Sequence, residues 1–422
     1  MNQEEILEKA KAFDIPKQLF VNAYKLVKAN AGSAGVDQQS LEDFERNLKN
    51  NLYKLWNRMS SGSYFPPPVK AVPIPKKSGG KRVLGIPTVG DRICQMVAKL
   101  VIEPEVEPHF LEDSYGYRPH KSALDALGVT RKRCWQQAWV LEFDIVGLFD
   151  NIPHDLMMRA LRKHINAKWV LIYTERWLRA PMQNEDGSLT KRHCGTPQGG
   201  VISPVLSNLF LHYVFDKWMQ RTYPEIKWCR YADDGLVHCS TEHKAKELHA
   251  KLKQRFLNCG LSLHPDKTKI VYCKNGNRKG TYPDKSFDFL GYTFRARCCW
   301  NNKEGKPFTN FTPAISKGSM KAMREKIKRG RWSRKTELSI EEIAKVLNPI
   351  IQGWINYYGR YTRSALYPIC RYINKTLVTW MMKKFKKLKC RRTKAAKVLR
   401  RISENKPNLL AHWRIGMIGA FA

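Results

Sequence analysis

The sequence predicts an α+β body followed by an all-α, strongly basic C-terminal region, with the change near residue 310. Three observations carry this. Short runs that alternate apolar and polar residues, bounded by Pro and Gly, read as strands at 64–88, 139–150, 227–239 and 287–294. Amphipathic stretches at helical spacing fill the segments between them. Beyond about residue 315 basic residues gather among apolar positions near helical spacing, and 381–402 holds eleven Lys or Arg and no acidic residue.

Taken in order, the first sixty residues (1–60) read as a helical N-terminal extension: EEILEKAKAF, then KQLFVNAYKLVKAN, broken by the AGSAGVD turn at 31–37. The α+β body spans 61–310. In YFPPPVKAVPIPKKSGGKRVLGIPT (64–88) prolines exclude helix and two alternating runs flank a Lys-Lys-Ser-Gly-Gly-Lys turn, so a hairpin tipped with positive charge is expected. Helix returns at 91–111. WVLEFDIVGLFD (139–150) is a strand ending in a glycine turn, and HDLMMRALRKHI restarts a helix. TPQGGVISPVLSNLFLHYVFDKWMQ (196–220) is a Gly-Gly loop opening one long amphipathic helix. KWCRYADDGLVHC (227–239) is two strands around an acidic tight turn, which Ala-Asp-Asp-Gly favours. A helix at 241–258 follows, then a strand around KIVYC and a single strand at FDFLGYTF (287–294). Residues 311–422 form the basic helical region.

Lys and Arg outnumber Asp and Glu by 75 to 37, a formal charge of +38 that calls for a polyanionic partner, with nucleic acid the leading candidate. Hydrophobic residues at 43% and aromatics at 11% exclude a disordered chain. At 422 residues two or three packed units are expected. No run of about eighteen apolar residues and no signal-peptide core is present, so no membrane partner is expected. Eleven cysteines, an odd number without CxxC spacing, read as reduced thiols of a cytosolic protein rather than a disulfide framework or zinc site; the adjacent Cys298 and Cys299 have no assigned role.

Adjacent carboxylates at a hairpin tip, Asp233 and Asp234, repel unless a cation neutralises them. By itself such a pair is an ordinary solvated turn, and Asp150 and Asp155 read as turn or helix-cap residues. Asp144 ends an apolar strand. If that strand lies beside the 227–239 hairpin, three carboxylates meet at one sheet edge and can hold two divalent ions. Mg²⁺ suits hard oxygen ligands and leaves places for substrate phosphates. Two ions about 4 Å apart would activate a primer 3′-hydroxyl and stabilise the departing pyrophosphate of an in-line displacement.

At these residues the chain resembles a known family. Tyr-Ala-Asp-Asp at 231–234 is similar to the [YF]xDD box of reverse transcriptases, and FDIVGLF at 143–149 to their first aspartate motif. The nearest match is the group II intron reverse transcriptase and maturase, of the bacterial type that lacks an HNH domain. GVD at 35–37 resembles its N-terminal motif, IPKKSGGKRVLGIPTVGDR at 74–92 its fingers hairpin, SYGYRPHKSALDAL at 114–127 and GTPQGGVISPVLSNLFL at 195–211 its intermediate boxes, and GWINYYGRY at 353–361 its maturase signature. The resemblance runs from about residue 20 to 400. It implies a right-hand polymerase, with fingers and palm on an antiparallel sheet followed by an all-α thumb, the maturase X domain. The implied activity is RNA-directed DNA synthesis from dNTPs on an RNA template with a DNA primer, using two Mg²⁺ ions with Mn²⁺ as a substitute. Intron RNA binding for splicing and a DNA target site for retrotransposition complete the implied partners.

The resemblance also implies roles for individual residues. Asp144, Asp233 and Asp234 are catalytic metal ligands, and the backbone carbonyl of Ile145 supplies a further oxygen. Lys76 and Arg82 on the basic hairpin meet the triphosphate, where a planar guanidinium pairs with phosphate oxygens. Phe149 stands against the sugar 2′ carbon and excludes ribonucleotides. Gln198 contacts the incoming nucleotide or template, and Lys267 lies where it can protonate pyrophosphate. Leu290 and Gly291 belong to a primer grip, where glycine lets the primer backbone approach. Arg360, Lys375, Lys383, Lys384, Lys387, Arg391 and Arg392 are the phosphate contacts of the thumb, while Trp354, Tyr357 and Tyr358 are packing anchors.

The departures are informative too. The paired CxxC spacing of an HNH endonuclease is missing, so cleavage of a bottom target strand by this chain is not expected. Only about sixty residues follow GWINYY, which leaves little room for a separate DNA-binding domain, and no RNase H-like acidic constellation is evident. Two alternatives stand beside this reading: a domesticated, phage-defence reverse transcriptase, and an RNA-binding splicing factor without polymerase activity. The expected location is the bacterial cytosol, with nucleoid association when acting on DNA.

Overall fold

The computed structural model describes residues 11–75, 80–278, 280–301 and 304–418. In chain order its elements are α1 (Lys17–Asn30), α2 (Leu41–Glu45), α3 (Leu48–Ser60), β1 (Val69–Pro75), β2 (Lys81–Ile86), α4 (Val89–Val106) and α5 (Ala123–Gln136). Next come β3 (Trp139–Phe143), α6 (Leu148–Asn151), α7 (His154–Arg162), α8 (Lys168–Arg179), β4 (Met182–Gln183), β5 (Leu189–Thr190), α9 (Ser203–Leu211) and α10 (Lys217–Thr222). Then follow β6 (Lys227–Tyr231), β7 (Asp234–Cys239), α11 (Glu242–Leu257), β8 (Lys269–Tyr272), β9 (Ser286–Phe289), β10 (Tyr292–Asn301), β11 (Lys306–Ile315) and four helices, α12 (Lys317–Arg329), α13 (Ile340–Tyr358), α14 (Tyr367–Lys384) and α15 (Arg392–Asn405). The fold is α+β with a helical C-terminal region. The chain forms two compact units, Met1–Ala126 with Leu141–Lys269, and Leu127–Val140 with Ile270–Ala422. No helix among the described residues is long and apolar enough to cross a membrane. None of the eleven cysteines is in a disulfide.

In the first unit, α1 buries Phe20, Ala23, Tyr24 and Val27, one helical stripe, and packs on α4. The Gly-rich turn before residue 37 fits against the start of α4: Arg92 donates to the carbonyls of Ala31 and Ser33 at 3.2 and 2.8 Å, and a Cβ on Gly35 would lie 2.7 Å from the Thr88 backbone. Asp91 is fully enclosed and accepts from Tyr64 Oη at 2.6 Å, Trp177 Nε1 at 2.7 Å and Gln95 Nε2 at 2.9 Å. Gln95 Oε1 in turn accepts from the Val201 amide at 2.8 Å, so the helix beneath sets the position of the Gly-Gly loop. β1 and β2 pair antiparallel, with Pro75 opposite Lys81, in a sheet of order β2-β1-β4-β5. β6, β7 and β3 are consecutive strands of another sheet.

In the second unit β9, β10 and β11 form an antiparallel sheet. α12 to α15 surround a core that includes Ile343, Leu347, Ile373, Leu377, Trp380 and Trp413. Ser339 starts α13 with a reciprocal capping box to Glu342. Segment 127–140 belongs here because Trp135 Nε1 donates to the Phe311 carbonyl at 2.7 Å, and Arg278 donates to the carbonyls of Cys134, Trp135 and Cys273. Tyr357 Oη donates to the Leu290 carbonyl at 2.9 Å and Tyr292 Oη to the Tyr357 carbonyl, so the Gly-Trp-Ile-Asn-Tyr-Tyr aromatics pack.

Three expectations need correction. The single strand expected at 287–294 is two strands, β9 and β10, joined at Leu290-Gly291 with φ of 50° and 80°, the two positive values that a type I′ hairpin turn needs. The long helix expected through 220 is interrupted: α9 widens into a π turn at His212–Asp216 before α10. Of the helix expected at 4–13, residues 4–10 lie outside the described residues, and Lys11–Phe13 is not helical.

Candidate active site

β3 ends at Phe143 and places Asp144 at the edge of the sheet, where its carbonyl accepts from the His264 amide at 2.8 Å and Val146 N donates to Ser262 O at 2.9 Å. Distant from β3 in sequence, β7 is its neighbour in the sheet, and β6 and β7 pair so that Tyr231 faces Asp234, leaving Ala232 and Asp233 as a two-residue turn. Ala232 takes φ of 56°, a left-handed conformation that costs an alanine energy the surroundings must supply. Gly235 lets β7 lie flat on β3, since a Cβ there would come 2.0 Å from the Phe143 ring. That close approach sets the acidic turn beside Asp144.

The electrostatics follow. Partial burial of the carboxyl, then the charges of Asp233 and Asp144, push Asp234 up to about 7, although the residue as a whole is exposed. Burial also raises the Asp233 carboxyl, with Asp144 adding to the rise and Lys267 and Arg82 opposing it. Lys267 Nζ pairs with Asp144 Oδ2 at 2.5 Å, a hydrogen bond that raises the lysine in turn. Among the described residues no three His, Cys, Asp or Glu side chains already stand as a metal-holding set, and Asp144 is turned to Lys267. The donor chemistry nonetheless suits a hard divalent cation: three carboxylate-bearing residues share one edge and their mutual charge is only partly offset.

The other expected residues are placed as follows. Arg82 lies on β2 and acts electrostatically on Asp233; Lys76 lies outside the described residues. The Gly85 amide of β2 donates to the Gln198 carbonyl at 2.9 Å, which ties the basic hairpin to the Gln-Gly-Gly loop, and Gln198 Nε2 reaches Asp150 Oδ2 at 3.4 Å. The carbonyl of half-buried Phe149 accepts from the Thr196 amide at 2.6 Å, and Gly195, at φ 78°, passes so close that a Cβ would lie 2.5 Å from that carbonyl. Ile145 is buried in a bridge to Leu263. Leu290 and Gly291 sit in the second unit, as do the basic residues of α14 and α15. There Lys384 is committed to the carbonyls of Thr336 and Leu338 at 2.9 and 2.8 Å, Lys375 is half-buried, and Arg360, Lys383, Lys387, Arg391 and Arg392 are exposed.

Two residues are not singled out by sequence reasoning. Arg230, fully buried on β6, donates to Asp216 Oδ1 and Oδ2 at 2.8 and 2.6 Å, Ser114 Oγ at 2.8 Å, Asn208 Oδ1 at 3.1 Å and the Ala232 carbonyl at 3.1 Å. It therefore anchors the acidic turn from below. Tyr117 is 54% exposed at φ 56°, and the charges of Asp233, Tyr231, Asp234 and Arg82 all act on it. The preceding residues are latched to the turn: Tyr115 N donates to Arg230 O at 2.8 Å, and a Cβ on Gly116 would meet Ala232 N at 2.4 Å. Clustering of Gly, Tyr and Arg in Ser-Tyr-Gly-Tyr-Arg is the only signal that could have pointed there.

Comparison with known proteins agrees with this geometry. Residues 74–294 match the family described as reverse transcriptase (RNA-dependent DNA polymerase), and residues 320–399 match the group II intron maturase-specific domain. Protein YkfC of Escherichia coli is 30% identical over 312 residues, 63% of this chain and 77% of that protein. The group II intron-encoded protein LtrA of Lactococcus lactis is 28% identical over 256 residues, 60% of this chain and 41% of that protein. The putative COX1/OXI3 intron 1 protein of Saccharomyces cerevisiae is 29% identical over 64% of this chain and 31% of its own length. Apart from the first, the chain thus spans less than half of these relatives. With more than half of its length matched by the polymerase family, the chain belongs to the reverse transcriptase (RNA-dependent DNA polymerase) family, in the form that carries a group II intron maturase-specific domain.

Proposed function

We propose that this protein copies RNA into DNA by two-metal nucleotidyl transfer and binds intron RNA to promote splicing and retrotransposition. The observation that carries the catalytic part is the acidic turn held beside Asp144, with Asp234 pushed up to about 7 by burial and its two carboxylate neighbours. The maturase-specific match and the name of the Lactococcus relative support the intron part. In domain terms 1–60 is the N-terminal extension, 61–310 the fingers and palm, and 311–422 the thumb or maturase domain.

Asp144, Asp233 and Asp234, with the Ile145 carbonyl, would hold the divalent ions. Bound Mg²⁺ would supply the charge that favours a nucleophilic 3′-oxygen and a departing pyrophosphate. The protein's own groups do the rest. Lys76 and Arg82 grip the triphosphate, Lys267 delivers a proton to the pyrophosphate, and Phe149 occupies the space a 2′-hydroxyl would need. Gln198 steadies the nucleotide or template from a loop tied to the basic hairpin. Leu290 and Gly291 support the primer, and the exposed thumb cations follow phosphates without reading bases. The protein acts in the bacterial cytosol and at the nucleoid.

The test is template dependence. Purified protein given a DNA primer, an RNA template, dNTPs and Mg²⁺ should incorporate labelled nucleotide, and ribonuclease treatment of the template beforehand should abolish the signal. Equal incorporation without template would sink the proposal.

A further inference from the structure

A cavity of about 600 Å³ opens on the first compact unit between α7, the α9–π–α10 run and the end of α11, and none of its lining residues belongs to the active site. Its floor is apolar, with Phe210, Val214 and Ala160. Five cations, Arg159, Lys163, Lys217, Arg221 and Arg255, line it with no Asp or Glu, and among the described residues none of the five is paired with a carboxylate. Such a set repels itself until an anion arrives.

The wall is built rather than incidental. The π turn frees main-chain carbonyls, and Arg255 is fastened to them, donating to Val214 O and Tyr213 O at 3.0 Å each. His164 Nε2 holds the Tyr213 hydroxyl at 2.6 Å, and Lys163 Nζ lies 5.1 Å from the centre of the Tyr213 ring. Trp218 stands edge-on to Tyr223 at 5.4 Å. The neighbouring buried His212 is pushed down to about 3, by burial first and then by Lys217 and Arg230, in keeping with a positive field at this wall.

We infer that this cavity is a binding site for an unpaired nucleotide of an RNA strand, its phosphate gripped by Arg159, Lys163 and Arg221 and its base laid against Tyr213 and Trp218. The volume falls in the range of small-ligand sites, about 300–1,000 Å³. Cations at the rim with aromatic faces inside are what a splayed-out base and its backbone require. The inference rests on the reading that this chain works on RNA, and adds a contact surface outside the polymerase cleft.

The test is a fluorescence-anisotropy titration of the full chain with a single-stranded RNA oligonucleotide over a salt series. Arg159, Lys163 and Arg221 are exposed, so charge reversal leaves the fold intact. Lys163→Glu with Arg221→Glu should weaken binding at least tenfold and flatten the log–log salt dependence by about 1.4, since each single-strand phosphate contact contributes about 0.7. Trp218→Ala should weaken binding by about fivefold or more at an unchanged slope, and Trp218→Phe should restore it. Primer extension on a short homopolymer template should stay native in all three. Native affinity and slope in the charge-reversed protein overturns the inference, as does competition by free AMP as effective as by the oligonucleotide, which would make this a small-nucleotide site. Failure of the native chain to bind any RNA would overturn the proposed function itself.

Discussion

Replacing Arg230 with Met tests how the acidic turn is held. The guanidinium is fully buried and donates five hydrogen bonds at 3.1 Å or less, two of them to Asp216, which is itself 0% exposed. Burial already pushes the Asp216 carboxyl upward, and Arg230 opposes that rise most, ahead of Arg118. Removing one partner of such a pair costs about 3–5 kcal/mol. Orphaning the acceptors on Ser114, Asn208 and Ala232 adds on the order of 1 kcal/mol each. Against a typical total stability of about 5–15 kcal/mol, the single variant stands near the unfolding threshold. Combining Arg230→Met with Asp216→Leu removes both charges, and the ion-pair part of the loss should return. The donor to the Ala232 carbonyl does not return. Denaturant unfolding reads the first effect, and nucleotide incorporation per folded molecule reads the second. The expectation is a double variant that regains most of its stability yet incorporates at least about tenfold more slowly, about 1.4 kcal/mol in the barrier. A single variant as stable as the native protein, or a double variant with native turnover, would refute the reasoning.

Gly116→Ala inserts a Cβ 2.4 Å from the Ala232 amide and should displace the turn, costing about 1–3 kcal/mol by overpacking and lowering turnover while RNA affinity holds; native kinetics would show that the latch is unimportant. Tyr117→Ala should reduce kcat/KM for dNTP at least about tenfold with Tyr117→Phe close to native, because an exposed ring in a left-handed conformation beside the acidic turn is placed for contact rather than packing; equal values for native protein and the Ala variant would argue otherwise. Burial pushes the His412 imidazole down to about 3, while the unfolded chain protonates near 6.5. Between those values the unfolded state binds the extra proton, so stability falls as pH falls, by up to about 1.4 kcal/mol per unit from this group. His412→Gln should flatten the pH dependence of unfolding in that window, and parallel pH curves for variant and native protein would rule the effect out.

Much of this architecture is legible in the amino-acid sequence. The 139–150 strand and the acidic hairpin are readable because local alternation and turn chemistry agree, and Ala-Asp-Asp-Gly leaves room for little else. What local pattern cannot supply is partnership. That β3 lies beside β7 depends on Gly235 meeting Phe143, residues some ninety positions apart, and a glycine in a strand does not announce which ring it passes. Phe-Asp-Phe-Leu-Gly-Tyr-Thr-Phe reads as one strand because alternation continues across the turn, and a leucine at positive φ is a poor turn signal. The β10–β11 hairpin escapes notice since Arg-Ala-Arg-Cys-Cys-Trp mixes charge with apolar residues on both faces. Arg230 is missed for a related reason. An arginine in an alternating strand looks solvent-facing, and its buried partner Asp216 sits in a π turn that no periodicity foretells.

The most direct test of the central claim is single-turnover dNTP incorporation on a primed RNA template, comparing native protein with Asp144→Asn, Asp233→Asn and Asp234→Asn at matched RNA occupancy. Each substitution keeps the side chain's size and removes the charge that would hold the metal ions. The prediction is a loss of about a thousandfold or more for Asp144→Asn and Asp233→Asn, a large loss for Asp234→Asn, and unchanged RNA affinity in all three. Retention of native rates by Asp144→Asn or Asp233→Asn would contradict the account, because the chemistry would then reside somewhere other than this acidic edge.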